Sequence, residues 1–211
     1  MKKIAITQRL ILNDSYYEVR EALDVRWAKL FKELDYIPIV LPLNIDFVDY
    51  FKNISIEGIL LTGGNDLNSL KSNKLSKLRD EFELKLIRYG IKNNIPIYGV
   101  CRGMQLIAEY FGCSIKLIEN HVGTKHHLNI SKKSKYMKYL INLEKVNSYH
   151  NCSVGNIGND LLVSAKSEDN SIEAIEHTKN KIFAQMWHPE REEPFVKAEL
   201  ELIKEFFSCD K

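Results

Sequence analysis

Cysteine is scarce in this sequence and is never paired. Four occur in 211 residues, at positions 101, 113, 152 and 209. None stands in a Cys-x-x-Cys pair, so the spacing offers neither a zinc ribbon nor a disulfide framework, and a reduced, cytoplasmic setting is expected. Long apolar runs are missing too. No window approaches the roughly 20 residues that a membrane-crossing helix needs. The opening Met1-Lys2-Lys3-Ile4-Ala5-Ile6-Thr7 carries too short an apolar stretch for a secretory leader and reads as a first strand. Excess charge is also absent. The net charge of +2 removes any global electrostatic case for nucleic acid or an anionic membrane. Lys132, Lys133 and Lys135, the densest basic stretch, read as a solvated loop. With no repeats, low-complexity tracts or linkers, and 45% hydrophobic residues, the chain suits one domain over 1–211.

What is present alternates between strand and helix patterns. Strands are expected at 4–7, 37–41, 58–62 and 97–100. Helices are expected at 17–34, 46–51, 75–92 and 102–111, the last stopped by Gly112. This βαβ series predicts an α/β fold, a central, mostly parallel sheet flanked by helices. Beyond Gly112 the texture changes. Short strands are expected at 114–118, 161–165, 172–176 and 182–187, separated by turn residues such as Gly155-Asn156, Gly158-Asn159 and Asp169-Asn170. Residues 119–135 read as a polar loop, and 193–207 as a closing amphipathic helix.

Cys101 lies where the 97–100 strand meets the 102–111 helix, with Gly99 and Gly103 two residues to either side. A nucleophile elbow needs such small neighbours, because its turn is tight and strained. The helix N-terminus favours thiolate over thiol. A lone cysteine there would more often be a buried structural residue, but the rest of a cysteine site follows downstream. Trp187-His188-Pro189-Glu190 comes just after a strand, where loops of an α/β sheet build their site. His188 can serve as base, and Glu190 can reach back to fix its tautomer. Leu60-Leu61-Thr62-Gly63-Gly64-Asn65-Asp66 ends a strand in two glycines, whose missing side chains admit a ligand close to backbone N–H. Gly64 N–H and Arg102 N–H are the expected oxyanion donors.

These segments together resemble the class I glutamine amidotransferase superfamily, and within it the γ-glutamyl hydrolase branch (peptidase C26 type). The likeness rests on residues 61–66 and on Gly99-Val100-Cys101-Arg102-Gly103-Met104-Gln105. It also rests on Val146-Asn147-Ser148-Tyr149-His150, on Gln185-Met186-Trp187-His188-Pro189-Glu190-Arg191, and on Ile4-Ala5-Ile6-Thr7-Gln8-Arg9. The resemblance implies a flavodoxin-like core. It also implies a Cys101 that is acylated by a γ-glutamyl group, with His188 as acid and base and Glu190 as its orienter. Gly63, Gln105, Asn147, Ser148, Tyr149 and His150 would surround the glutamyl moiety. Asn151 stands where the branch often has a second histidine, and Asn170-Ser171 where it often has Asp-Gly. The segment 16–24 is similar to the γ-glutamyl-CDP-amidate hydrolases of bacterial capsule phosphoramidate synthesis. Their anionic leaving group would call for cations, and Arg9, Arg20 and Arg102 are the candidates.

Other signals are set aside. His121, His126 and His127 share one polar loop with lysines, and no Asp or Cys stands nearby at ligand spacing, so no metal site is assigned. Asp80, Glu81 and Glu83 read as the solvated first half of a helix. The expected partner is a small γ-glutamyl substrate, with no cofactor, nucleic acid or membrane, and a homodimer as the assembly left open. Three functions remain: a γ-glutamyl conjugate hydrolase, acting on a γ-glutamyl-CDP-amidate or on a γ-glutamyl amine such as γ-glutamyl-γ-aminobutyrate, a glutaminase subunit handing ammonia to a synthase, and a binding protein that keeps the fold without turnover. Retention of Cys101, His188 and Glu190 together argues against the last.

Overall fold

The computed structural model describes residues 1–158 and 160–208. Asn159, expected in a turn, and Cys209 lie outside the described residues. Along the chain run β1 (Lys2–Ile6), β2 (Arg9–Leu12), β3 (Val19–Ala22), α1 (Arg26–Leu34), β4 (Tyr36–Val40), α2 (Phe47–Ile54), β5 (Gly58–Leu61), α3 (Lys74–Lys92), β6 (Ile97–Val100) and α4 (Arg102–Tyr110). There follow β7 (Ile115–Leu117), β8 (Val122–His126), β9 (Asn129–Ile130), α5 (Met137–Leu140), β10 (Val146–Tyr149), β11 (Cys152–Val154), β12 (Leu161–Lys166), β13 (Ile172–His177), β14 (Ile182–Gln185), a 3-10 turn (Pro189–Arg191) and α6 (Lys197–Phe207).

The main sheet opens with five mutually parallel strands in the order β4-β1-β5-β6-β14. β13 joins β14 antiparallel, and β11, β7, β12 and β9 extend the sheet by antiparallel pairings. β2–β3 and β8–β10 form separate antiparallel ribbons. The central strands β5 and β6 are buried along their whole length, as expected of parallel strands covered on both faces. Their side chains alternate between two cores. Ile59, Leu61 and Ile97 pack with Leu86 and Ile87 of α3 and Met104 and Ile107 of α4. Leu60, Tyr98 and Val100 pack with Leu30 and Phe31 of α1 and Leu202 and Phe206 of α6. The fold is therefore α/β, with a sheet parallel at its centre and helices on both faces. No described helix is long and apolar enough to cross a membrane.

Three expectations need correction. The helix at 17–34 begins only at Arg26, because residues 9–22 fold into the β2–β3 hairpin with Arg9 opposite Ala22 and Leu12 opposite Val19. Asp24 stops the strand pattern and accepts from Arg26 N at 3.0 Å. The loop at 119–135 contains β8 and β9; β8 is exposed except at His126, so it lacks the apolar alternation that marks a strand. Asp80 and Glu83 are buried, not solvated, because Arg79 and Arg102 meet them in the interior.

Candidate active site

Adjacent parallel strands deliver the three motifs to one edge of the sheet. β5 runs into 62–65, β6 into Cys101 and β14 into Trp187 and His188, with Leu61 opposite Gly99 and Gln185 opposite Val100. This is the carboxyl edge, where open α/β sheets bind ligands. Cys101 has φ 53° and ψ −106°, a conformation that costs a non-glycine residue about 1–3 kcal/mol. Its backbone is pinned by Cys101 N donating to Gln185 O at 2.8 Å and by Gln105 N donating to Cys101 O at 3.1 Å. Gly103 is required by close approach, since a Cβ there would lie 2.3 Å from Leu61 O. The N–H groups of the first turn of α4 have no intrahelical partner, which leaves Arg102 N–H open for an anion.

His188 is buried, and its Nδ1 donates to Glu190 Oε1 at 2.7 Å. The Cys101 side chain stands beside the His188 ring: a Cβ built on Gly63 would meet both His188 Cε1, at 2.8 Å, and Cys101 Cβ, at 3.5 Å. Burial works against the imidazolium, but the Cys101 sulfur and the Glu190 carboxylate outweigh it and raise the pKa to about 9. Asn147 fixes the backbone of His188, accepting from His188 N at 3.0 Å and donating to His188 O at 2.8 Å. Behind it, Trp187 Nε1 and Gln185 Nε2 each donate to Glu199 at 2.8 Å. Burial pushes that carboxyl up to about 7 despite those bonds. Thiol, imidazole and carboxylate thus stand in series, an arrangement able to form a thiolate–imidazolium pair and to move one proton between sulfur, leaving group and water.

The glycine loop is set from below by Arg79. Its Nη1 donates to Gly63 O at 3.0 Å and its Nη2 to Thr62 O at 2.8 Å. In a trans peptide C=O and N–H point opposite ways, so anchoring Gly63 O turns Gly64 N–H away from Arg79. Gly64 has φ +120°, which side chains rarely adopt, and Gly63 packs so tightly that a Cβ would lie 2.8 Å from His188 Cε1. Arg79 is fully buried and is held by Glu83, with Nε to Oε1 at 3.0 Å. Burial, aided by Arg102, lowers its pKa to about 10. Glu83 and Asp80 also bind the Arg102 guanidinium. Sequence reasoning missed Arg79, whose helical position carries no motif.

The other expected residues scatter in role. Arg9 lines a cleft of about 180 Å³ together with Gly63, Gly64, His188, Glu190 and Arg191. Arg191 is a second cation that sequence reasoning missed; its guanidinium lies 4.5 Å over the Tyr149 ring, and that ring stands 6.1 Å from the His188 ring. Arg20 is exposed, bonds Glu18 and Tyr16, and is not among the residues that line the cleft. The Arg102 side chain is buried among Asp80 and Glu83, so it offers no cation to an anionic leaving group; only its backbone faces the elbow. Gln105 is buried and donates to Cys152 O at 3.4 Å. Ser148 Oγ donates to His121 O at 2.6 Å. His150 turns its ring toward Glu173, 3.5 Å away. A larger hollow of about 670 Å³, lined by Arg26, Lys29, Lys32 and Phe195, borders Glu190 but neither Cys101 nor His188.

Known proteins bear the same pattern. Residues 4–190 match the family described as Peptidase C26. The chain is 43% identical over 211 aligned residues to the γ-glutamyl-CDP-amidate hydrolase of Campylobacter jejuni, covering 99% of this chain and 98% of that protein. A GMP synthase subunit protein from Thermoplasma acidophilum has the same fold, with a TM-score of 0.73 and 21% identity over 98% of this chain and 92% of that one. A glutamine amidotransferase from Thermotoga maritima gives a TM-score of 0.66 at 14% identity, covering 97% and 83%. By its match over most of its length to the family pattern, and by a relative aligned end to end, the chain belongs to the Peptidase C26 family.

Proposed function

We propose that this protein is an amidohydrolase that cleaves the γ-glutamyl amide bond of γ-glutamyl-CDP-amidate, releasing glutamate and a cytidine diphosphoramidate. The end-to-end likeness to a hydrolase of that substrate carries the reading. The Cys101, His188 and Glu190 geometry supports its chemistry. Cys101 thiolate attacks the γ-carbonyl carbon, and Gly64 N–H and Arg102 N–H receive the oxyanion. His188 imidazolium, oriented by Glu190, gives its proton to the departing nitrogen as the C–N bond breaks and the thioester forms. Neutral His188 then takes a proton from water, whose oxygen attacks the thioester. The C–S bond breaks, glutamate leaves, and the thiolate–imidazolium pair is restored.

Substrate choice would rest on the cleft beside His188. Arg9 and Arg191 border it, and a guanidinium suits a phosphate by charge-assisted, two-pronged hydrogen bonds. A γ-glutamyl amine offers neither cation a phosphate. The test is to incubate the purified protein with γ-glutamyl-CDP-amidate, γ-glutamyl-γ-aminobutyrate and glutamine in parallel, following glutamate release and the phosphorus spectrum of the nucleotide product. Preference for the nucleotide is expected. Faster release from the amine would make the protein a γ-glutamyl-amine hydrolase, and release only from glutamine in the presence of a synthase would make it a glutaminase subunit.

A further inference from the structure

A second cluster of chemistry lies apart from Cys101. His121, His126, His150 and Glu173 are all buried, Glu173 completely. One ligating atom from each lies within 4.8 Å of all the others. They come from four places in the chain: just before β8, the end of β8, just after β10, and near the start of β13. His121 Nδ1 stands 3.4 Å from Glu173 Oε1, and His126 Nε2 and His150 Nε2 each stand 3.5 Å from Glu173 Oε2. These separations are too long for good hydrogen bonds, and all five atoms are without a hydrogen-bond partner among the described residues. Polar atoms buried in that state are costly and rare in native proteins.

The spacing suits something placed between them. Ligands about 2.0–2.1 Å from a tetrahedral zinc ion sit roughly 3.3–3.4 Å from each other; each imidazole stands 3.4 or 3.5 Å from one of the two Glu173 oxygens, and the four groups gather within 4.8 Å. The outer atoms are arranged to match. His121 Nε2 is 3.1 Å from Asp169 Oδ2, and His150 Nδ1 is 3.0 Å from Cys152 O. Each outer nitrogen therefore carries the proton, which leaves a lone pair on the inward nitrogen, the support that metal-bound imidazoles commonly have. Asp169 is itself held by Ser171 N at 2.9 Å and Ser171 Oγ at 3.1 Å. Three imidazoles and one carboxylate form a borderline N₃O set, suited to zinc and poorly to magnesium or calcium.

We propose that His121, His126, His150 and Glu173 form a zinc site, closed by four protein ligands and structural in role. The ion would tie the β8–β10 ribbon to β13 of the main sheet, to which the ribbon is not hydrogen-bonded strand to strand. β10 carries Asn147, whose amide holds both backbone groups of His188. Zinc would therefore act on catalysis only by positioning, through the ribbon. The site stands whatever the leaving group of the substrate.

The test uses the full-length chain as Cys101→Ala, so that the thiol cannot capture metal, after removal of bound metal with a chelator. Titration of Zn²⁺ against a chromophoric chelator should show one tight equivalent, and Co²⁺ in its place should give the intense visible bands of a tetrahedral site. Glu173→Gln and His126→Ala should each weaken zinc binding about 100-fold or more. His127→Ala should change nothing, since that exposed ring bonds Glu144 O at 2.7 Å outside the cluster. Zinc should also slow amide exchange in 122–126 and 146–150 while leaving β1 and β5 unchanged, a readout that needs no variant to fold. Absence of a stoichiometric equivalent, a weak octahedral cobalt spectrum, undiminished binding by a folded Glu173→Gln, or exchange in the ribbon indifferent to zinc would each overturn the proposal.

Discussion

Replacing Glu190 by glutamine should change the pH dependence of the reaction more informatively than its maximum. Glu190 Oε1 accepts from His188 Nδ1 at 2.7 Å, and its charge helps raise the His188 pKa to about 9 against the opposing effect of burial. The amide preserves shape and an acceptor but removes the charge. A hydrogen bond to a charged group contributes about 1.5–3 kcal/mol and a neutral one about 0.5–1.5, so the loss is about 1–2 kcal/mol. That is roughly a 5- to 30-fold fall in kcat/KM, and it lowers the His188 pKa by about one pH unit. The sign follows from the base. A histidine whose pKa rises from 6.5 to about 9 on folding gives stability that is fully present below 6.5 and is lost as pH rises through about 9. The thiolate–imidazolium pair is lost over the same alkaline limb. Glutamate release measured from neutral to alkaline pH should show that limb near 9 in the wild type and clearly lower in Glu190→Gln. An unmoved limb with a wild-type rate would refute the orienting role. A loss as deep as that of His188→Asn, expected to be several orders of magnitude, would refute it from the other side.

Cys101→Ala should abolish turnover and leave the circular dichroism unchanged, and intact mass with peptide mapping should place any trapped glutamyl adduct of the wild type on Cys101 alone; Cys113, Cys152 and Cys209 should be individually dispensable. Arg9→Ala should raise KM for the nucleotide amidate far more than for a γ-glutamyl amine, whereas Arg20→Ala should leave both unchanged because its partners are Glu18 and Tyr16; equal effects of Arg9→Ala on the two substrates would argue against a phosphate contact. Gly103→Ala places a Cβ 2.3 Å from Leu61 O and should destabilise the fold by about 1–3 kcal/mol, read as a fall in melting temperature of roughly 2–12 °C, with a larger loss of activity as the 62–64 loop moves. Arg79→Lys keeps a buried cation but loses the fork that holds Thr62 O and Gly63 O, and kcat should fall with KM little changed.

The parallel half of the fold is legible because its signals are local. β5 and β6 are short, almost wholly apolar and followed by glycine-bearing turns, and α3 and α4 carry helical spacing with a clear stop at Gly112. The β2–β3 hairpin is hidden because Tyr16, Val19 and Leu23 stand at helical spacing while Tyr17, Val19 and Leu23 also share one face of an extended chain, and short segments leave that ambiguity to tertiary contacts. Here the decision lies in pairing: Leu12 faces Val19, and the Glu21 carboxylate reaches Leu43 N and Gln8 from a strand it could not serve as part of a helix. β8 fails to announce itself for the opposite reason, since it is exposed from Val122 to Lys125 and is held there by β10 rather than by burial.

The site divides in the same way. The elbow, the His-x-Glu pair and the double glycine are legible because each is a backbone device, fixed by neighbours within a few residues. Arg79, Asn147 and Glu199 act on the same segments from 16, 41 and 12 residues away, and no spacing rule connects them to their targets. The same limit explains the histidines. His121 and His126 have no acid at ligand spacing in the sequence, but the acid is Glu173, brought in by β13. Glu173 N–H and C=O belong to the sheet, where its carbonyl accepts from Met186 N at 2.8 Å, one residue before Trp187. One strand thus turns its backbone toward the His188 segment and its side chain toward the ribbon that holds His188 from the other side. The two clusters are therefore connected through the backbone of β13, and on the roles proposed for them the position of His188 rests on both.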